Sequence, residues 1–200
     1  NVAMVLEGTD PALKSEQVFI GAHFDHIGMG GKASSSRNRD TVALHPGADD
    51  NASGVTMMLD LAKRLSSVRN GFPRSIVFLA FSGEELGLLG SKYFSEHMPV
   101  KNSQVNIMIN LDMVGRMNEG HFLQIGGVGT AAGLRDSVAS LVDTTLIHAT
   151  YTEEGSGPSD HFSFYADSIP VLFITTGTHE DYHLPSDTYD KINYKGMEIT

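Results

Sequence analysis

Five short segments of this 200-residue sequence carry side chains suited to binding divalent metal ions. Four share one design, in which an apolar run ends and a metal-capable side chain follows. They are His23-Phe24-Asp25, Gly83-Glu84-Glu85, Leu111-Asp112 and, after a loop, Tyr182-His183. The fifth is the acidic turn Gly47-Ala48-Asp49-Asp50-Asn51. Carboxylates combined with imidazole suit zinc, manganese or cobalt. The sequence has no cysteine, which excludes disulfides, thiolate metal sites and a cysteine nucleophile. Taken singly, each segment has a plainer reading. A strand-end Asp commonly caps a helix, a loop His usually just packs, and Glu84-Glu85 suits the acidic first turn of a helix. Convergence separates the two readings, because several carboxylates gathered at one sheet edge repel one another unless cations lie between them.

The chemistry of such a gathering needs distinct roles. Two metals roughly 3.5–4 Å apart share a bridging carboxylate, and water held between them is a nucleophile near neutral pH. A carboxylate that binds no metal must then accept the proton of that water. Adjacent Glu84 and Glu85 can divide these tasks, one facing the water and the other a metal. Asp25, two residues after His23, can hold the second imidazole nitrogen and fix its tautomer.

The elements that must position these residues read as alternating strands and helices. Gln17–Ala22 is a short apolar strand that stops at His23. A long polar loop rich in Gly and Ser follows, from about Gly28 to Gly47, and loops of that length are often functional. Asn51 to about Val68 has helical spacing of Val55, Met58, Leu59, Ala62 and Leu65, with Asp50 or Asn51 as its cap. Ser75–Phe81 is a continuous apolar run, the pattern of a strand buried on both faces, and Val105–Leu111 is expected to be another buried strand, ending at Asp112. Helices are expected over Leu86–His97, Ala131–Val142 and Ser159–Tyr165, with Ser159 capping the last. Further strands are expected over Phe122–Ile125, Thr145–Thr150 and Pro170–Ile174. This order predicts a three-layer α/β/α sandwich around a mostly parallel mixed sheet. In such sheets ligands bind beyond the carboxyl ends of the strands, where the acidic and His residues fall.

Composition bounds the partners. The chain is 40% hydrophobic and 19% charged, as an ordinary globular domain is, and its formal net charge is −10. No Lys/Arg cluster occurs, which argues against nucleic acid or anionic lipid as partner. No run is long and apolar enough to span a membrane. We find no repeat, linker or heptad, so residues 1–200 are expected to form one catalytic domain, and oligomeric state is not readable. The chain starts at Asn1 and is read as an excised or mature part of a longer precursor, expected to be periplasmic or secreted.

Six segments in order, Gly-Ala-His23-Phe-Asp25, Gly-Ala-Asp49-Asp50-Asn-Ala-Ser-Gly54, Gly83-Glu84-Glu85-Leu-Gly, Asn110-Leu-Asp112-Met, Ser159-Asp160-His161 and Tyr182-His183-Leu-Pro-Ser-Asp187, closely resemble the co-catalytic zinc aminopeptidases. Glutamate carboxypeptidase and glutaminyl cyclase belong to the same wider group. The resemblance runs from about Gln17 to Asn193. It implies two Zn2+ ions, with His23 and Asp112 on one, Glu85 and His183 on the other, and Asp50 bridging. It implies Glu84 as general base, Asp25 as the residue that orients His23, and Tyr182 as a donor to the oxyanion. Asp160 either supports the site from behind or belongs to a helix-capping turn.

By resemblance the substrate is a peptide, cleaved at its N-terminus. A carboxypeptidase or other amidohydrolase on the same core is an alternative, as is a non-catalytic binding module, which would have no need of Glu84. Glutaminyl cyclase fits less well, since it works with one zinc and all five ligand positions are filled here. The loop Gly28 to Pro46, with Arg37 and Arg39, is longer than in the simplest relatives. His26, His45 and His179 are extra histidines near the site, read as loop residues, with contact to metal or substrate as the alternative. Phe162, Phe164, Tyr165 and Met113 either line an apolar specificity pocket or pack in the core.

Overall fold

A computed structural model covering residues 1–200 shows a seven-stranded mixed sheet with helices on both faces. The strands of this sheet are β1 (Val2–Leu6), β2 (Gln17–His23), β5 (Ser75–Phe81), β6 (Val105–Leu111), β7 (Phe122–Gly126), β8 (His148–Thr152) and β9 (Val171–Thr175). Their spatial order is β1-β5-β2-β6-β9-β7-β8. The central neighbours β5, β2, β6 and β9 are mutually parallel, as are β7 and β8, while β1 and the β7–β9 pair run antiparallel. Every residue of β5 except Ala80 is buried, as its unbroken apolar run predicts.

Alternation of side chains sorts the core into layers. Phe19, Val77, Leu79, Phe81, Met108 and Val171 face α2 (Leu89–Glu96) and α4 (His161–Ala166), where Phe94 and Phe164 complete the packing. Ile20, Ala22, Ile76, Phe78 and Leu111 face α1 (Gly54–Ser66), which contributes Met58 and Ala62. On this second face α3 (Leu134–Leu141) and α5 (Tyr194–Ile199) cover Leu123, Ile125 and Leu172. No helix is long and apolar enough to cross a membrane.

Several boundaries differ from the sequence reading, and two differences bear on the site. The expected loop from Gly28 to Gly47 contains a small hairpin, β3 (Gly28–Gly30) with β4 (Val42–His45). The helix expected from Asn51 starts at Gly54 instead, because residues 48–53 form an irregular turn with non-helical Asp50 and Asn51 and a cis Asp50–Asn51 peptide. Asn51 does receive the Gly54 N–H on its Oδ1, but that atom also takes the Met113 N–H, and Nδ2 donates to the Leu111 carbonyl. Its side chain thus ties the acidic turn to the end of β6.

Candidate metal centre

Parallel pairing brings the chemistry together. His23 at the end of β2 stands level with Phe81 at the end of β5. Gly21 pairs with Asn110 of β6, and Leu111 pairs with Ile174 of β9. The segments that follow these ends therefore meet above one edge of the sheet. Sharp turns aim them inward: Gly83, Met113 and His183 all have positive φ, with values of 72°, 58° and 56°.

Asp50 stands at the centre. Its Oδ1 is 3.3 Å from His23 Nε2, and its Oδ2 is 3.2 Å from His183 Nε2. His23 Nε2 also lies 3.5 Å from Asp112 Oδ1, and His183 Nε2 lies 3.4 Å from Glu85 Oε2. One donor set is thus His23, Asp50 and Asp112, and the other is Asp50, Glu85 and His183. His26 adds a third imidazole, with Nδ1 2.7 Å from Glu85 Oε1. The donor atoms of His23, Asp50 and Asp112 lie within 4.8 Å of one another, and so do those of His26, Asp50 and Glu85. All the sequence-selected ligand candidates converge, and Glu84 stands beside them without joining either set, its Oε2 4.0 Å from His23 Nε2.

Electrostatics show what this cradle requires. Burial alone would discharge His23, yet its contacts with Asp112 and Asp50 win and push it up to about 12. Burial would likewise raise Asp50, but the imidazoles of His183 and His23 hold it well below the usual carboxylate range. Burial, partly offset by His23, pushes Glu84 up to about 8. Positive charge is therefore favoured between the carboxylates, and a carboxyl poised near neutrality stands next to it. Asp112 Oδ1, Glu85 Oε1 and both ring nitrogens of His26 are buried without a hydrogen-bond partner. Unpartnered carboxylate oxygens and an imidazole nitrogen within these two clusters are the donor types that suit divalent cations such as zinc.

A supporting shell fixes each group. His23 Nδ1 is held by the main-chain oxygen of Asp25 at 3.0 Å, not by the Asp25 carboxylate, whose Oδ1 is 3.9 Å away. That carboxylate instead receives the backbone N–H of Glu84 at 3.1 Å and of Glu85 at 3.4 Å, so Asp25 orients the whole Glu-Glu turn. Ser159 is no side-chain helix cap: its Oγ donates to Asp112 Oδ2 at 2.7 Å and accepts from Asn110 Nδ2 at 2.7 Å. Asp160 is fully buried with no capping bond, and burial pushes its carboxyl up to about 7.

The long loop also belongs to this shell. The Ser35 carbonyl sits 3.0 Å from His183 Nδ1, and Ser35 Oγ donates to Glu85 Oε2 at 3.1 Å. Arg37 donates its backbone N–H to the His183 carbonyl and its guanidinium to that of Glu180. Of the remaining loop histidines, His45 pairs with Ser36 Oγ and His179 with Asp49 Oδ2, which makes both structural. Ser35 had no signal in the sequence, because its partners lie 50 and 148 residues away.

A cavity of about 230 Å³ opens beside Glu84, Asp112 and His183. Its walls include Met113, Gln124, Phe173, Thr178 and Tyr182. Tyr182 stacks on His183 with ring centroids 3.8 Å apart. Burial raises the Tyr182 phenol further, so it stays a neutral donor. Of the four residues weighed for an apolar pocket, only Met113 lines this cavity. Phe164 is core, while Phe162 and Tyr165 are partly exposed and absent from the cavity wall.

The three-layer α/β/α fold thus gathers carboxylates and imidazoles at its strand ends, where such sheets place their ligand sites, with a donor set that suits divalent cations. The chain belongs to peptidase family M28, whose sequence profile matches residues 1–200. It is 33% identical over 170 residues to aminopeptidase YwaD of Bacillus subtilis, an alignment covering 80% of this chain and 36% of that protein. An uncharacterised protein, YfbL of Escherichia coli, is 28% identical over 211 residues, covering 90% of this chain and 62% of that protein. The chain thus spans less than two thirds of the length of either curated relative. Among solved structures, BSAP, a zinc aminopeptidase from Bacillus subtilis, superposes with a TM-score of 0.76 at 26% identity. That superposition covers 98% of this chain and 46% of BSAP. LapA of Legionella pneumophila superposes with a TM-score of 0.72 at 28% identity, covering 92% of this chain and 49% of LapA.

Proposed function

We propose that this chain carries the catalytic centre of a two-zinc exopeptidase that removes N-terminal residues from peptides. The observation that carries the reading is the Asp50 carboxylate, which offers one oxygen to each of two donor sets, at 3.3 Å from His23 and 3.2 Å from His183. A relative named as an aminopeptidase supports the choice of reaction, and a solved structure named as a zinc aminopeptidase supports the choice of metal. Zinc supplies a Lewis acid that polarises the scissile carbonyl and makes water acidic enough to react near neutral pH.

The chain's own residues do the rest. Glu84 accepts a proton from the attacking water as the C–O bond forms. It returns that proton to the amine nitrogen as the C–N bond breaks. Tyr182, kept neutral by burial, offers its O–H toward the carbonyl oxygen. Met113 and Phe173 give the cavity an apolar wall for one side chain. No Lys or Arg lines the cavity, while Asp50, Glu84 and Asp112 do. With zinc offsetting the charge of its carboxylate ligands, the lining leaves no side-chain cation to pair with a C-terminal carboxylate, which favours the amino end of the substrate.

A panel of amino-acid p-nitroanilides, run beside N-acetylated and C-amidated peptides, tests the reading. Release of residues only from free amino ends is expected. Cleavage of N-acetylated peptides from the carboxyl end would replace it with a carboxypeptidase, and no turnover of free-amine substrates would defeat it.

A further inference from the structure

His26 has no role in the two donor sets as the sequence assigns them, yet it is placed as a ligand would be. It follows β2 by three residues, and only 10% of its side chain is exposed. Nδ1 approaches Glu85 Oε1 to 2.7 Å and Asp50 Oδ2 to 3.8 Å. Even so, neither ring nitrogen makes a hydrogen bond, and Glu85 Oε1 has no partner either. A nitrogen and a carboxylate oxygen this close, with no proton aligned between them, match two donors that face one ion. With zinc bonds of about 2.0–2.1 Å, adjacent donors lie roughly 3 Å apart.

The ring is held in place. A Cβ at Gly47 would sit 2.7 Å from His26 Cγ and Cδ2, so the glycine backbone packs directly on the imidazole. The His183 ring meets it edge-on at a centroid distance of 5.9 Å. Glu85 spends its other oxygen, Oε2, on Ser35 and His183, which leaves Oε1 toward His26.

We infer that His26 is a fourth protein donor to the cation on the Glu85–His183 side. This rests on the two-zinc reading above. The two halves are then unequal: His23, Asp50 and Asp112 on one side, and His26, Asp50, Glu85 and His183 on the other. The fuller half binds its ion more tightly and loads first. The half with fewer protein ligands keeps the open position, and it is the half next to Glu84.

The test counts imidazoles and measures affinity, without reference to turnover. Fully loaded wild type is examined by zinc-edge X-ray absorption. Wild type, His26→Ala and His26→Gln are equilibrated at graded free zinc and assayed for bound metal. Three imidazoles per zinc pair are expected in wild type. In both variants the count should be two, with the tighter loading step moved at least ~10-fold to higher free zinc and the other step unmoved. Two imidazoles per pair in wild type would overturn the inference and leave His26 as a group that only positions Glu85. Unmoved loading in His26→Gln would overturn it as well. Wild type that binds fewer than two zinc ions would instead remove the two-zinc reading, and the inference with it.

Discussion

Asp187 Oδ2 receives the backbone N–H of Asp50 at 3.1 Å, and that of Asp49 at 2.9 Å. Asp187 is fully buried and stands four residues after His183. One carboxylate therefore joins the turn that presents the central Asp50 to the loop that presents His183. Arg116 and Lys191 anchor the same loop through Asp181, each at 2.6 Å. Asp187→Ala leaves two buried N–H groups unpaired, a loss of about 2–6 kcal/mol from the usual cost of such groups. Urea unfolding should show that loss, and retained zinc after dialysis should fall. Asp187→Asn keeps an acceptor oxygen and should recover more than half of both. Equal damage from Asn and Ala would show that the hydrogen bonds are not what Asp187 supplies.

Glu84 stands outside both donor sets, and burial keeps its carboxyl near neutrality. Glu84→Gln preserves the shape and removes the base. Zinc content should remain as in wild type while kcat falls at least ~10²-fold, the range for loss of a general base. Parallel loss of zinc would move Glu84 into the ligand set, and undiminished kcat would strip it of its role.

The sequence disclosed the site where local pattern and chemistry coincide. β2 and β5 are largely apolar runs, and β6 is an apolar run interrupted by Asn106 and Asn110; they stop at His23, before Glu84-Glu85 and at Asp112, so both the strands and their cargo are readable. What escaped it depends on partners distant in the chain. Ser35 is one of several serines in a polar loop until folding sets its carbonyl against His183. Asn51 looked like a helix cap because Asn often is one, whereas its amide is largely spent on the end of β6. Asp25 lies beside His23 as expected, but its main-chain oxygen holds the imidazole, and its carboxylate takes the N–H groups of the Glu84-Glu85 turn, a task the sequence does not suggest. Phe164 looked equally fit for pocket or core. Only the packing of α4 against Phe19 and Phe81 decides for the core.

Gly54 opens α1 with an ordinary helical φ of −61°, so its need for glycine is purely spatial. A Cβ there would sit 2.3 Å from Asn51 Oδ1 and 2.5 Å from the Leu111 carbonyl oxygen. Both neighbours are committed to the turn that carries Asp50. Gly54→Ala must push α1 away from β6 or break the Asn51 bonds, at a cost of about 1–3 kcal/mol by the measure of overpacked cores. Thermal unfolding should register the loss, with reduced zinc retention. Wild-type stability in Gly54→Ala would mean that the turn is freer than these distances allow.

His161 offers a pH test away from the donor sets. It is 2% exposed and lies parallel to Phe173 at 4.5 Å, and burial pushes its imidazole down to about 4. In the unfolded chain the same group titrates near ~6.5. Between these two values the unfolded state binds a proton that the folded state refuses. The contribution to stability is therefore intact above the unfolded pKa and is lost as pH falls toward the folded one. The full shift corresponds to about 3 kcal/mol. Other groups also titrate over this range, so the useful quantity is the stability of wild type minus that of His161→Phe, which keeps an aromatic ring against Phe173. Urea unfolding at pH 7 and pH 4 should show this difference moving against wild type by about 3 kcal/mol as the solution is acidified. A difference that stays constant would mean that His161 accepts its proton in the folded state as readily as in the unfolded one, and that burial does not hold it neutral.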